Sequence, residues 1–179
     1  MGMAICMVEL TSIARGIETS DDMIKAAQVT LLRGTTVCPG KYMVIVGGET
    51  GAVRAALEAG LAKGGEFIVD SLLIPNVHEQ LFPAIAGTQE VVDPQAIGVV
   101  EFYSIASAIK AADAAAKAAQ VTLIEVRIGY AVGGKGYFTL TGDVGAVRAA
   151  VAAAEKQSEL YIGSTVIPRP SKQVLESLL

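Results

Sequence analysis

Tryptophan is absent, and a single histidine and two cysteines are all the chain offers of the side chains most used as bases, nucleophiles and transition-metal ligands. Two cysteines cannot build a disulfide framework, and no Cys-x-x-Cys run is present to mark a preformed metal site; a reducing, cytosolic setting is the natural expectation. No uninterrupted apolar run reaches the roughly 18 residues of a membrane span, so a soluble protein is expected. The opening Met1-Gly2-Met3-Ala4-Ile5-Cys6 has no basic segment ahead of its apolar residues, which argues against a secretory signal. The net charge of −4 comes without a basic block, which excludes nucleic acid as the main partner. Aromatic residues make up only 5% of a chain that is 52% apolar, a combination that in small domains points to surface buried against other chains.

What is present is present twice. Ala4-Ile5-Cys6-Met7-Val8-Glu9-Leu10 returns as Ala96-Ile97-Gly98-Val99-Val100-Glu101-Phe102, and Lys25-Ala26-Ala27-Gln28-Val29-Thr30-Leu31 returns as Lys117-Ala118-Ala119-Gln120-Val121-Thr122-Leu123, both displaced by 92 positions. Gly51-Ala52-Val53-Arg54 matches Gly145-Ala146-Val147-Arg148 at 94, and Ile74-Pro75 matches Ile167-Pro168 at 93. The period suits two complete domains in tandem, over residues 1–78 and 96–179 with a linker at 79–95 that includes a short helix. Two extra residues in the second copy fall at its hairpin, where Gly133-Gly134-Lys135-Gly136 stands for Cys38-Pro39-Gly40-Lys41.

Each copy reads strand, helix, strand, strand, helix, strand. In the first, an apolar run over 4–10 leads to a Thr11-Ser12 cap and a helix over about 12–27, with Ile13, Ile17, Ile24 and Ala27 on one face. Two β-rich runs, 29–36 and 41–46, flank the turn Cys38-Pro39-Gly40 and predict a hairpin. Gly47-Gly48-Glu49-Thr50-Gly51 opens a second helix and 66–74 is the last strand. Ser104 and Asp143 are the matching caps in the second copy. The order βαββαβ predicts an α/β (α+β) fold of two tandem ferredoxin-like units.

Met7-Val8-Glu9-Leu10-Thr11-Ser12-Ile13-Ala14-Arg15-Gly16-Ile17-Glu18, Val37-Cys38-Pro39-Gly40-Lys41, Gly142-Asp143-Val144-Gly145-Ala146-Val147 and Val166-Ile167-Pro168-Arg169-Pro170 resemble bacterial microcompartment shell proteins, across both repeats. Within that family the chain looks most like the tandem-domain members of the propanediol-utilisation compartment. The resemblance implies a structural protein rather than an enzyme, a homotrimer acting as a pseudohexamer, and assembly with other shell proteins into the wall of a cytoplasmic organelle. It implies that Val37, Cys38, Pro39 and Gly40 of the first copy, and Gly133 and Gly134 of the second, line a central pore. It further implies a 4Fe-4S cluster, one per trimer, held by three Cys38 thiolates, and electron or cluster transfer with an encapsulated or cytosolic redox enzyme as partner. Thiolates are the ligands such clusters need, and three would leave one iron open to solvent or a small molecule. By the same resemblance Lys25, Lys117 and Arg169 lie at tile edges, with Asn76 standing where the first copy would carry the arginine.

The residues themselves leave alternatives open. Most lone cysteines are inert, so Cys38 is either a cluster ligand or an unmetallated thiol beside a metabolite pore, while Cys6, inside a strand, reads as a small buried hydrophobe. Lys25 and Lys117 also suit solvated helix positions. Glu9 and Glu101 are better read as acceptors of backbone N–H groups near a helix start than as an acid–base pair. His78 has no partner assignable from spacing, and the Gly47–Gly51 stretch lacks the ending of a phosphate loop. Ferredoxin-like units also build ligand-sensing regulators, which is the alternative of a different class.

Overall fold

A computed structural model of the chain describes residues 3–91 and 94–178. Two compact units divide it, one running up to Val77 and including Tyr130–Gly133, the other holding His78–Gly129 and the residues from Gly134 onward.

The first unit contains strand β1 (Ala4–Leu10), helix α1 (Ile13–Ala26), β2 (Thr30–Val37), β3 (Lys41–Gly48), α2 (Thr50–Gly64), a 3₁₀ turn at Gly65–Phe67 and β4 (Ile68–Ile74). Its sheet has the order β2-β3-β1-β4 with every pair antiparallel, the ferredoxin-like arrangement expected from βαββαβ. All seven residues of β1 are buried because it is a central strand, and Cys6, Val8 and Leu10 pack with Met23, Val44, Val46, Val53 and Ala56 beneath the helices. Burial of each large aliphatic side chain of this kind is worth about 1.5–3 kcal/mol.

The second unit repeats the plan after one added element. A short helix, α3 (Leu81–Ala86), precedes β5 (Ala96–Phe102), α4 (Ile105–Ala118), β6 (Thr122–Ile128), β7 (Gly136–Gly142), α5 (Val144–Glu155) and β8 (Tyr161–Pro168), and α6 (Lys172–Leu178) follows. The sheet order is β6-β7-β5-β8, again antiparallel throughout. Both edge strands β2 and β6 carry a register shift at the same place, between Leu31 and Arg33 and between Leu123 and Glu125. Such bulges are retained devices of a fold.

Local signals account for the boundaries. The Ser12 and Ser104 hydroxyls each accept a 3.2 Å bond from the amide three residues on, opening α1 and α4. Asp143 Oδ1 accepts from Gly145 N at 2.8 Å to open α5, whereas Glu49 at the same position of α2 makes no side-chain cap.

Packing beneath the sheets is matched by complementary substitution. A Cβ on Gly16 of α1 would come within 2.5 Å of Tyr42 Cβ; in the second unit the positions are filled by Ala108 and Gly136, and a Cβ on Gly136 would come within 2.6 Å of Ala108 Cβ. The bulk has moved from strand to helix while the contact is kept.

One expected face differs. Ile13, Ile17 and Ile24 share a side of α1, but they are 38%, 56% and 39% exposed, and the face turned to the core is Gly16, Thr19, Ser20 and Met23. Helical periodicity found the stripe; it could not tell burial within the unit from burial against something else.

Candidate functional site

The first hairpin is tight. β2 ends on buried Val37, which pairs with Lys41, and Gly40 N donates to Val37 O at 3.0 Å. Gly40 takes φ +83°, which favours glycine at this corner, and the Cys38–Pro39 peptide is cis. The turn leaves Cys38 as a free, half-buried thiol at its tip. Cys6 differs in kind: burial pushes its thiol up to about 12, so it stays protonated inside β1.

The second hairpin is wider, because the two additional residues lie there. Residues 129–135 span it, closed by a 3.0 Å bond from Gly129 N to Lys135 O, and Gly129, Ala131, Gly133 and Gly134 all take positive φ. This loop presents Val132, Gly133 and Gly134 where the first presents Cys38, Pro39 and Gly40, so each chain carries one thiol for its two hairpin tips.

Behind each tip stands a repeated ion pair. Lys41 bonds Glu9 in the first unit, and Lys135 Nζ lies 3.0 Å from Glu101 Oε1 in the second. These are diagonal neighbours across adjacent antiparallel strands. Glu9 and Glu101 therefore hold the lysine at the base of each loop and are not caps for backbone N–H groups. Their surroundings diverge: Glu9 and Lys41 side chains are 2% and 19% exposed, Glu101 and Lys135 38% and 40%. Lys135 also lies 5.8 Å from the ring centre of Tyr103.

Lys25 and Lys117 end their helices as a second repeated pair. Lys25 bonds Asp21, which raises its pKa, and Lys117 Nζ lies 2.5 Å from Asp113 Oδ2. Asp21 is exposed, whereas Asp113 is buried and its Oδ1 also accepts from His78 N at 2.7 Å. His78 thus shapes a turn, its ring Nδ1 3.4 Å from Gln80 N, and has no catalytic partner among its described contacts. Arg169, exposed after β8, has φ +49° and donates from its backbone N to Gln95 O at 2.8 Å.

The structure brings Val37, Cys38, Pro39 and Gly40 into one turn and Gly133 and Gly134 into its counterpart, and places Lys25, Lys117 and Arg169 elsewhere on their units. Sequence reading missed the Glu9–Lys41 and Asp21–Lys25 pairs, although both recur in the duplicate as Glu101–Lys135 and Asp113–Lys117 and recurrence was the available signal. Among the described residues no group of three or more His, Cys, Asp or Glu side chains could hold a metal within one chain. No helix among them is long and apolar enough to cross a membrane.

The BMC domain family matches residues 4–77 and again 96–170. The chain is 43% identical over its whole length to the bacterial microcompartment shell protein PduT of Citrobacter freundii, covering 99% of that protein. It is 39% identical over 88 residues to the carboxysome shell protein CsoS1 of Prochlorococcus marinus, covering 85% of that shorter chain. A crystal structure of a microcompartment protein from Desulfitobacterium hafniense superposes with a TM-score of 0.93 at 43% identity, over 98% of this chain and 99% of that one. The fused permuted hexameric shell protein of the RMM microcompartment gives 0.63 at 27% identity, over 85% and 81%. The βαββαβ order here serves a shell rather than a ligand-sensing regulator. With two BMC domains and full-length likeness to shell proteins, the chain belongs to the BMC-domain family and is a structural protein of a bacterial microcompartment shell.

Proposed function

We propose that three copies of the chain close into a pseudohexameric tile, and that the three Cys38 thiols meet at its central opening to hold one 4Fe-4S cluster. The observation that carries the assembly is an asymmetry of burial between duplicates. Ile105, Ile109, Leu123 and Ile124 are 0–2% exposed in the second unit, while their counterparts Ile13, Ile17, Leu31 and Leu32 are 38%, 56%, 45% and 39% exposed in the first. Positions built to be covered are covered in one copy and open in the other. A contact that joins one end of a molecule to the opposite end of the next closes rings when the rotation permits.

The donor chemistry supports the cluster. Cys38 is a free thiol on a turn, Cys6 is buried and held protonated, and the second hairpin offers no thiol, so a cluster can gather its ligands only where three chains converge. Such a cluster supplies one-electron transfer or a deliverable inorganic unit. Pro39 and Gly40 shape the turn that presents Cys38, Glu9 holds Lys41 behind it, and Gly133 and Gly134 line the alternate corners of the opening. Lys25, Lys117 and Arg169 face neighbouring shell proteins, and a redox enzyme exchanges electrons or the cluster at the pore. The tile performs no catalysis of its own.

Anaerobic reconstitution with iron and sulfide tests the reading. About four irons per trimer with visible absorbance, both lost in Cys38→Ser, support it. A colourless wild type that still forms trimers removes the cluster and leaves a tile with an open metabolite pore.

A further inference from the structure

The segment that follows each unit's last strand is itself duplicated. Residues 78–85 follow β4 as 171–178 follow β8, with the same displacement of 93 that relates Ile74-Pro75 to Ile167-Pro168. The turns match, since Leu81 N donates to His78 O at 3.0 Å and Val174 N donates to Ser171 O at 3.1 Å.

The first of these segments is docked. Helix α3 lies on α4 and β6, with Leu81, Ala84 and Ile85 buried. Three polar contacts fix it. His78 N donates to Asp113 Oδ1 at 2.7 Å, Gln80 Nε2 donates to Val121 O at 3.1 Å, and Leu123 N donates to Gln80 Oε1 at 2.8 Å. One carboxamide thereby supplies a donor and an acceptor to the outer rim of β6, the edge strand of its sheet, which both satisfies and covers an edge.

Every participant has a counterpart. On the helix side Gln80 corresponds to Gln173 and Leu81 to Val174; on the receiving side Asp113 corresponds to Asp21, Val121 to Val29 and Leu123 to Leu31. The Oδ2 atom bonds the helical lysine in both copies, Asp113 to Lys117 and Asp21 to Lys25, so Asp21 Oδ1 is the counterpart of the oxygen that accepts from His78 N in the second unit. In the single chain both surfaces stay exposed: Val174 is 42% exposed, Leu31 45% and Leu32 39%.

We propose that residues 171–178 of one copy dock on α1 and β2 of a second copy. The Gln173 carboxamide pairs with Val29 O and Leu31 N, and Ser171 N donates to Asp21. The direction follows from the chain itself. The segment after the first unit covers the unit that comes next, and after the second unit the next one belongs to another copy. The inference rests on the trimer reading and adds to it the clasp that joins successive copies.

The test places the photo-crosslinking amino acid p-benzoylphenylalanine at Val174 in the full chain, with native mass measured on the same sample before irradiation. A trimer whose illumination gives covalent two-chain and three-chain bands, with the crosslinked peptide mapping to residues 13–33, is the expected result. A trimer that crosslinks only within one chain, or elsewhere, overturns the clasp and leaves the trimer standing; a monomeric mass overturns both. Amide exchange gives an independent readout in the assembled protein. The Leu31 amide should be protected in the wild type and exchange about five-fold faster in Gln173→Ala, the effect of losing one ordinary hydrogen bond, while Leu123 is unchanged. Equal exchange at Leu31 in the two proteins counts against the proposed pairing.

Discussion

The duplicated lysine–glutamate pairs allow one interaction to be measured in two environments within one molecule. Lys41→Ala leaves the Glu9 carboxylate, 2% exposed, without its counterion inside the first unit; Lys135→Ala leaves Glu101, 38% exposed, facing water. Breaking a buried pair costs about 3–5 kcal/mol, because a charge stays buried and uncompensated. Lys41 retains 19% exposure, which places its removal near the lower end, about 3 kcal/mol. The pair on the second unit is solvated on both sides and its removal costs about 0–1 kcal/mol. For a unit of this size each kcal/mol moves the midpoint by about 4–8 °C, so Lys41→Ala should lower Tm by roughly 12 °C or more. Lys135→Ala should lower it by less than about 8 °C. Circular dichroism or calorimetric melts at one fixed protein concentration, held constant because association shifts apparent stability, give the comparison. Adding Glu9→Gln to Lys41→Ala should recover part of the loss, since the stranded charge is removed. Equal shifts in the two single variants would refute the argument from burial.

Other outcomes follow from the same contacts. In folded, cluster-free protein near pH 8 a maleimide should modify one thiol per chain, Cys38, and reach Cys6 only after denaturation; labelling of both in the folded state contradicts the burial of β1. The raised Cys6 pKa stabilises the fold fully below pH 9, and that contribution is lost as pH rises from 9 towards about 12, so Cys6→Ala should flatten the alkaline decline seen in pH-dependent melts. Gly16→Ala drives a Cβ to 2.5 Å from Tyr42 Cβ and should cost about 1–3 kcal/mol by denaturant titration. Asp113→Asn loses the pull on Lys117 and weakens the bond from His78 N, and should cost about 1–3 kcal/mol, whereas Asp21→Asn in the isolated chain removes a solvated helical pair worth no more than about 0.5 kcal/mol.

The fold was legible because its signals are local and written twice. Serine caps, turn glycines and alternating apolar runs specify each βαββαβ unit, and the change of displacement from 92 to 94 locates the longer second hairpin. What stayed hidden depends on contacts between segments distant in sequence. Glu9 resembled a cap until β3 brought Lys41 beside it. Gln80 falls within the 79–95 stretch read as a linker, and only the docking of α3 on β6 shows that its amide serves an edge strand. The α1 stripe of Ile13, Ile17 and Ile24 was visible as a pattern, but amphipathicity records that a face is to be covered, not whether the cover belongs to the same chain. Cys38 marks the same limit at the site: the turn can be read from Pro39 and Gly40, while the ligand role proposed for the thiol would need a symmetry that one chain does not contain.

The proposed assembly is a three-membered ring of this shell chain with one metal site on its axis. Native mass spectrometry of the anaerobically reconstituted protein tests both parts in one spectrum. The expected species lies at three times the 18.5 kDa chain mass plus the mass of one iron–sulfur cluster, with the same trimer lacking that increment in Cys38→Ser. A monomer, or an increment that survives the substitution, would contradict it.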